Sequence, residues 1–186
     1  MRKQKVIGIS ISDIDIPTFV STVLLKYNSF NNICVSATGA HGIISATKDK
    51  NLFNVLNSFQ YNLPDGMPSV WVSRLKGAKN IQRCFGPFVF KEIMKCTANK
   101  NIKHYFCGGK DGVADRLIES CKNQFSNENI VGAYSPPFRE LLEDEIKIMA
   151  ENINQKGTDI LWIGISTPKQ EILAKRLSKY TNVKMI

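Results

Sequence analysis

The chain has 186 residues, 43% of them hydrophobic and 22% charged, which excludes a disordered, collagenous or coiled-coil protein. One domain of roughly 100–200 residues is expected, long enough to bury about 70% of its unfolded surface without a disulfide or metal staple. Lysine and arginine number 25 against 16 acids, a formal charge of +9; this points to an anionic partner such as nucleic acid, an acidic membrane face or a phosphorylated substrate, and does not choose among them.

The opening MRKQKVIGIS has cations but no long apolar stretch and no small-residue cleavage site, so no signal peptide and a cytosolic location are expected. The most apolar stretches, Phe19–Leu25 and Ile160–Ile165, fall far short of the ~20 residues that span a bilayer. Val6–Ser12 predicts a strand. Pro17 opens a helical pattern to about Lys26, the favoured place for proline. Asn32–Ala37 predicts a second strand, and Ile43–Phe59 one long helix with Leu52, Val55, Leu56 and Phe59 on a stripe. Tyr61–Leu63 is a short strand closed by the turn signal Pro64-Asp65-Gly66. Val70–Leu75 and Phe88–Thr97 predict helices. His104–Cys107 is a strand ended by Gly108-Gly109. A helix over Val113–Phe125, a strand over Ile130–Tyr134 and a helix over Leu142–Asn154 follow. Asp159–Ser166 is an apolar strand, Pro168 starts a helix to about Ser178, and Val183–Ile186 begins another strand. Apolar strands alternating with amphipathic helices define an α/β, Rossmann-like fold: a mainly parallel sheet with helices on both faces. A single domain over residues 1–186 is expected, ending inside a strand as a C-terminally truncated chain would.

Open α/β sheets hold ligands at the carboxyl ends of their strands, and four such ends carry unusual residues. Ser36 to Gly42 contains Thr38 and His41. Leu63 to Pro68 contains Asp65. Cys107 to Gly112 contains Gly108, Gly109 and Lys110. Gly164 to Glu171 contains Lys169 and Gln170. Paired glycines before a helix let backbone N–H groups approach a phosphate, though they also make an ordinary turn. Lys169 in a first helical turn opposes the helix dipole, which suits either a bound anion that offsets it or a plain exposed lysine. His41 suits a general base or a structural donor, and Arg83 a phosphate clamp or a solvated cation. Pro-Asp-Gly is by itself a common turn. The five cysteines and two histidines show no metal-ligand spacing, so no metal is expected and the thiols read as small buried hydrophobes.

At these strand ends the sequence resembles the WecG/TagA/CpsF glycosyltransferases, bacterial enzymes of cell-surface polymer synthesis. The matching residues are Ala37-Thr38 with His41-Gly42, Leu63 to Pro68 with Val70-Trp71 and Arg74, and Arg83 with Gly86-Pro87. Phe106 to Lys110 with Gly112 to Ala114, Ser135 to Arg139, and Gly164 with Pro168 to Glu171 complete the set. The Asp-Gly-Met and Pro-Lys-Gln-Glu blocks together are specific, and the details are closer to the exopolysaccharide branch. The resemblance implies an inverting, metal-independent transferase without a cofactor. It would move a sugar from a UDP-sugar donor to a sugar on polyprenyl diphosphate, peripherally at the inner face of the plasma membrane. It also implies Asp65 as catalytic base, Thr38 as a second catalytic-motif residue, and Arg83 and Gln170 as substrate-binding groups. Ala40 stands where many relatives have Asn, and Phe88 where they have Asp. The family continues into a basic appendage that this chain lacks, so weak donor binding and slow turnover are expected of it.

Two other readings compete. A Rossmann-type nucleotide-binding or redox protein needs a glycine-rich loop after the first strand, where Gly8 stands alone, and an acid at the second strand's end, where Thr38 stands. A basic nucleic-acid module needs a recognition motif that is absent, so no nucleic-acid partner is expected. Association of the chain into homo-oligomers is left open.

Overall fold

The structure, a computed structural model, describes residues 2–186. It contains two compact units, the first built from residues up to Ser29 and Cys34–Glu92, the second from Phe30–Ile33 and Ile93–Ile186.

The first unit begins with β1 (Lys3–Val6) and β2 (Ile9–Ser12), an antiparallel pair in the register Val6↔Ile9. The single strand expected over Val6–Ser12 is therefore a hairpin. Ile7 and Gly8 both have positive φ, 48° and 81°, the two-residue turn whose twist matches the flanking strands. A β-branched residue in that conformation gives no turn signal, so the sequence reads as continuous strand. Ile9 and Ile11 are fully buried against Ile43, Leu52, Leu56 and Val70.

Helix α1 (Ile16–Lys26) starts where proline requires, and the Asp15 carboxylate caps it by accepting from the Thr18 N–H at 2.8 Å. Strands β3 (Val35–Thr38) and β4 (Tyr61–Pro64) pair in parallel. Between them the expected long helix is two: α2 (Ala40–Lys48) and α3 (Lys50–Ser58). Asp49 is extended and accepts from the N–H groups of Asn51 and Leu52, so it ends one helix and caps the next. The apolar stripe continues through the break, which is why periodicity alone reads one helix. Helix α4 (Met67–Leu75) begins three residues before the expected Val70. Helix α5 (Gly86–Thr97) begins two before Phe88 and contains the boundary between the units.

The second unit is a three-stranded parallel sheet in the order β6 (Ile130–Tyr134), β5 (His104–Gly108), β7 (Ile160–Gly164). Helices α6 (Val113–Phe125), α7 (Glu143–Gln155) and α8 (Lys169–Leu177) connect or follow these strands. Residues 183–186 form isolated bridges rather than the expected full strand: Met185 pairs with Ile33 and with Ile160. The strand-helix alternation confirms the α/β class with parallel pairing.

Fully buried His104 organises a polar cluster in this unit. Trp162 donates Nε1–H to His104 Nδ1 at 3.1 Å. Indole can only donate, so His104 carries its proton on Nε2 and gives it to Thr97 Oγ1 at 2.9 Å. Thr97 passes its own proton to the Ile93 carbonyl at 2.7 Å and accepts from Asn127 Nδ2 at 3.1 Å. Burial holds the His104 pKa down at about 4, with Asp159 acting in the opposite direction.

Four of the five cysteines are buried as expected. Cys96 is exposed, a departure that follows from its place on the outer side of α5 near the helix end. No helix among the described residues is long and apolar enough to cross a membrane.

Candidate functional site

Asp65 directly follows β4. Its N–H donates to the Thr38 carbonyl at 3.3 Å, which ties the ends of the parallel pair together. The Gly39 position allows this approach, since a Cβ there would lie 3.2 Å from the Asp65 carbonyl oxygen. The Asp65 side chain is 23% exposed, and the Arg83 guanidinium lies 3.7 Å from its Oδ1. Burial raises the Asp65 pKa above the usual carboxylate range, while a hydrogen bond from the Gly86 N–H and the Arg83 charge oppose that rise. Gly86 opens α5, so the carboxylate accepts from the first amide of a helix, which favours its charged form. The loop before α5 is pinned by Cys84 N–H, which donates to the Pro64 carbonyl at 2.8 Å. Burial, with help from Asp15 and Asp65, pushes the Cys84 thiol up to about 12, so it stays protonated.

Thr38 is 2% exposed, and its hydroxyl reaches Ser36 Oγ at 3.0 Å and Asn62 Oδ1 at 3.4 Å. Asn62 in turn donates to the carbonyls of Ser10 and Leu56. Thr38 thus holds Asp65 through its backbone and turns its side chain into the core. His41 is exposed in the first turn of α2. Arg83 is half exposed and its guanidinium lies 4.9 Å from the Phe85 ring centroid.

The other candidates lie in the second unit, on neighbouring strands. Gly108 pairs with Gly164 in register. Gly108 has φ 137°, and a Cβ on it would stand 2.3 Å from the Gly164 carbonyl oxygen. A Cβ on Gly109 would stand 2.9 Å from the Val113 side chain. Strand contact and helix packing therefore require both glycines, whatever binds beyond them. Gly108→Ala is expected to cost about 3 kcal/mol or more, from a positive-φ alanine combined with overpacking. Chemical denaturation of the variant beside the parent chain measures that loss.

Lys110 is exposed, and its carbonyl accepts from the Ser135 hydroxyl at 3.5 Å, joining the turns after β5 and β6. Lys169 stands 4.4 Å from the ring centroid of Phe138, itself almost completely exposed. That contact gives Lys169 a partner at the helix start, where the sequence left a bound anion and a plain exposed lysine both open. Gln170 Nε2 reaches Glu171 Oε1 at 3.2 Å and Thr167 Oγ1 at 3.4 Å. Buried Glu171 accepts from the Thr167 hydroxyl at 2.9 Å, an acid where the helix dipole favours one.

One motif has no counterpart in the sequence reading. Asp13-Ile14-Asp15 has the spacing of two carboxylates able to share a divalent cation. Both are committed to folding. Asp13 accepts from the N–H groups of Lys79 and Asn80, and Asp15 caps α1. Among the described residues no group of three or more His, Cys, Asp or Glu is placed to hold a metal. The contribution of Gly86 was equally hidden, because a backbone donor leaves no side-chain signal.

These features define an α/β protein whose parallel strands end in polar and cationic side chains, where such sheets take their ligands. The model of the WecG/TagA/CpsF glycosyl transferase family matches residues 4–186, and the chain belongs to that family. A curated relative from Bacillus subtilis (strain 168) is 28% identical over 137 residues, covering 74% of this chain and 52% of the relative. Its name is N-acetylglucosaminyldiphosphoundecaprenol N-acetyl-beta-D-mannosaminyltransferase. The chain spans about half the length of that relative.

Proposed function

We propose that the protein transfers a sugar from a UDP-sugar to a sugar carried on a polyprenyl diphosphate, with inversion and without a metal. The observation that carries this reading is the half-buried Asp65 carboxylate at the end of β4, held by the Gly86 N–H and raised in pKa by burial. A carboxylate at its ordinary pKa of about 3.9 is a feeble base at neutral pH, and desolvation strengthens it. In the step proposed, an acceptor hydroxyl attacks the donor's anomeric carbon as its proton passes to Asp65. The bond from that carbon to the UDP oxygen breaks, and UDP leaves with the electron pair.

Cations and backbone N–H groups stabilise the charge on departing UDP. In the first unit Arg83, beside Asp65, is the side chain assigned to that work. In the second unit Gly108, Gly109, Lys110, Lys169 and Gln170 are assigned to substrate binding. Thr38 is a positioning residue, acting through its carbonyl on Asp65. His41 is assigned to substrate binding. The lipid-linked acceptor follows the name of the Bacillus relative and puts the protein at the inner membrane surface.

Thermal shift tests the donor class. UDP is expected to raise the melting temperature and NAD(P) is not; stabilisation by NAD(P) alone refutes the reading. Arg83→Ala is expected to weaken UDP-sugar binding by about tenfold, the size of a lost charged hydrogen bond. Transfer is expected to continue in EDTA.

A further inference from the structure

We propose that buried Glu171 is a positioning residue that holds Gln170 with its side-chain amide oxygen outward. Gln170 then accepts a hydrogen bond from a sugar hydroxyl or amide N–H of the substrate, and it does not grip the pyrophosphate. The hold stands on three side chains at the start of α8, in the second unit; the identity of the substrate rests on the transferase reading above. Glu171 is 3% exposed. Its Oε1 accepts from the Thr167 hydroxyl at 2.9 Å and from Gln170 Nε2 at 3.2 Å. Gln170 Nε2 also reaches Thr167 Oγ1 at 3.4 Å. A carboxylate has no proton to give, so only the NH2 end of Gln170 can face it. Thr167 gives its single hydroxyl proton to Glu171 and can only accept from Gln170. Turning the amide over would set its oxygen against two acceptors.

With the nitrogen held, the oxygen is the end left for a ligand, and among the described residues it accepts from none. The backbone is fixed as well, since the Gln170 N–H donates to the Ser166 carbonyl at 3.0 Å. The strand leading here leaves room: a Cβ on Gly164, the last residue of β7, would meet nothing within 4 Å. Polarity then selects the ligand group. Pyrophosphate oxygens and uracil carbonyls are acceptors and cannot bond to an amide oxygen. A sugar ring is dense in O–H donors, and an N-acetyl group adds an N–H. Burying an acid is costly, and an exposed acid would serve the helix dipole equally well; the hold on Gln170 is what burial adds.

Gln170→Ala tests the polarity on the whole 186-residue chain. UDP affinity, read by calorimetry, is expected to stay within about twofold of the parent. Binding of UDP-glucose, UDP-N-acetylglucosamine or UDP-N-acetylmannosamine, or else the KM for the lipid-linked acceptor, is expected to worsen about tenfold, the size of one lost hydrogen bond. A loss in the first arm puts the bonded group on the donor sugar, and a loss in the second puts it on the acceptor sugar. Weaker UDP binding, or no loss in either arm, overturns the proposal. Glu171→Gln keeps an oxygen able to accept from Thr167 and Gln170 and is expected to stay within about twofold of the parent. Glu171→Leu removes the acceptor and is expected to reproduce the Gln170→Ala loss while sparing UDP; an acid needed only for folding would weaken UDP and sugar binding alike. NMR of the ligand-free chain reads the hold without activity. A Gln170 side-chain amide proton is expected downfield of those of exposed Gln82, and to move back in Glu171→Leu or, should that variant not fold, in Thr167→Val. A Gln170 amide resonating with Gln82 in the parent overturns the proposal. If the parent binds neither UDP nor any UDP-sugar, the transferase reading falls, and the amide resonance still decides whether Glu171 holds Gln170.

Discussion

Asp65→Asn is expected to slow sugar transfer by about 10²–10⁴-fold, the usual contribution of a positioned base, while UDP affinity stays within about twofold. The amide keeps the size of the carboxylate and an oxygen able to accept from the Gly86 N–H. What it loses is the capacity to take a proton. An interaction used only in the transition state lowers kcat and kcat/KM together and spares donor binding. The pH profile gives an independent mark. Burial raises the Asp65 pKa, so the parent enzyme's rate rises with pH as that group ionises, and the ionisation limb sits above the ordinary carboxylate range. In the variant the limb is absent. Transfer at the parent rate would reduce Asp65 to a turn residue of Pro-Asp-Gly.

Acidification is expected to remove about 3 kcal/mol of stability through a single imidazole. His104 titrates near 6.5 when unfolded and at about 4 in the folded protein. Between those values the unfolded chain takes up a proton that the folded one refuses, so unfolding becomes easier as pH falls. The full contribution is present above about pH 6.5 and is gone below about 4. Each pKa unit is worth 1.36 kcal/mol, which sets the magnitude. The cause is geometric as well as dielectric. Protonation puts a second N–H on the ring, facing the Trp162 N–H that already points at Nδ1. Two donors facing each other cannot bond. An NMR titration of the His104 ring, with urea unfolding at pH 7 and pH 4, reads both effects. A folded-state pKa near 6.5 would refute the account.

Much of the architecture was legible because burial imposes a period. The helix over Val113–Phe125 and the strand over Ile130–Tyr134 fall where the pattern places them. The misses occur where backbone geometry contradicts side-chain preference. Ile7 is β-branched yet lies in a left-handed turn, and Asp49 interrupts a stripe that continues past it. The candidate residues separate in the same way. Asp65 and Arg83 were each readable as a candidate by residue type and family motif, but their approach to 3.7 Å was not. The Gly86 donor and the Asn62 network behind Thr38 depend on which carbonyls and amides the fold aligns, and residue type does not encode that. The glycines at the end of β5, Gly108 and Gly109, show the opposite case. They suit a phosphate loop by type, while the neighbouring Gly164 backbone and Val113 already require them.

The arrangement of sulfur in the chain gives the experimenter a single chemical address. Cys84 and Cys107 are buried with thiols pushed up to about 12, Cys121 is held at about 11, and Cys34 is enclosed. Cys96 alone faces solvent on α5. A maleimide dye or spin label added near neutral pH will attach there first, since the thiolate is the reacting species and exposure governs access. The native chain can therefore carry one reporter without mutagenesis, on the helix that also supplies the amide gripping Asp65.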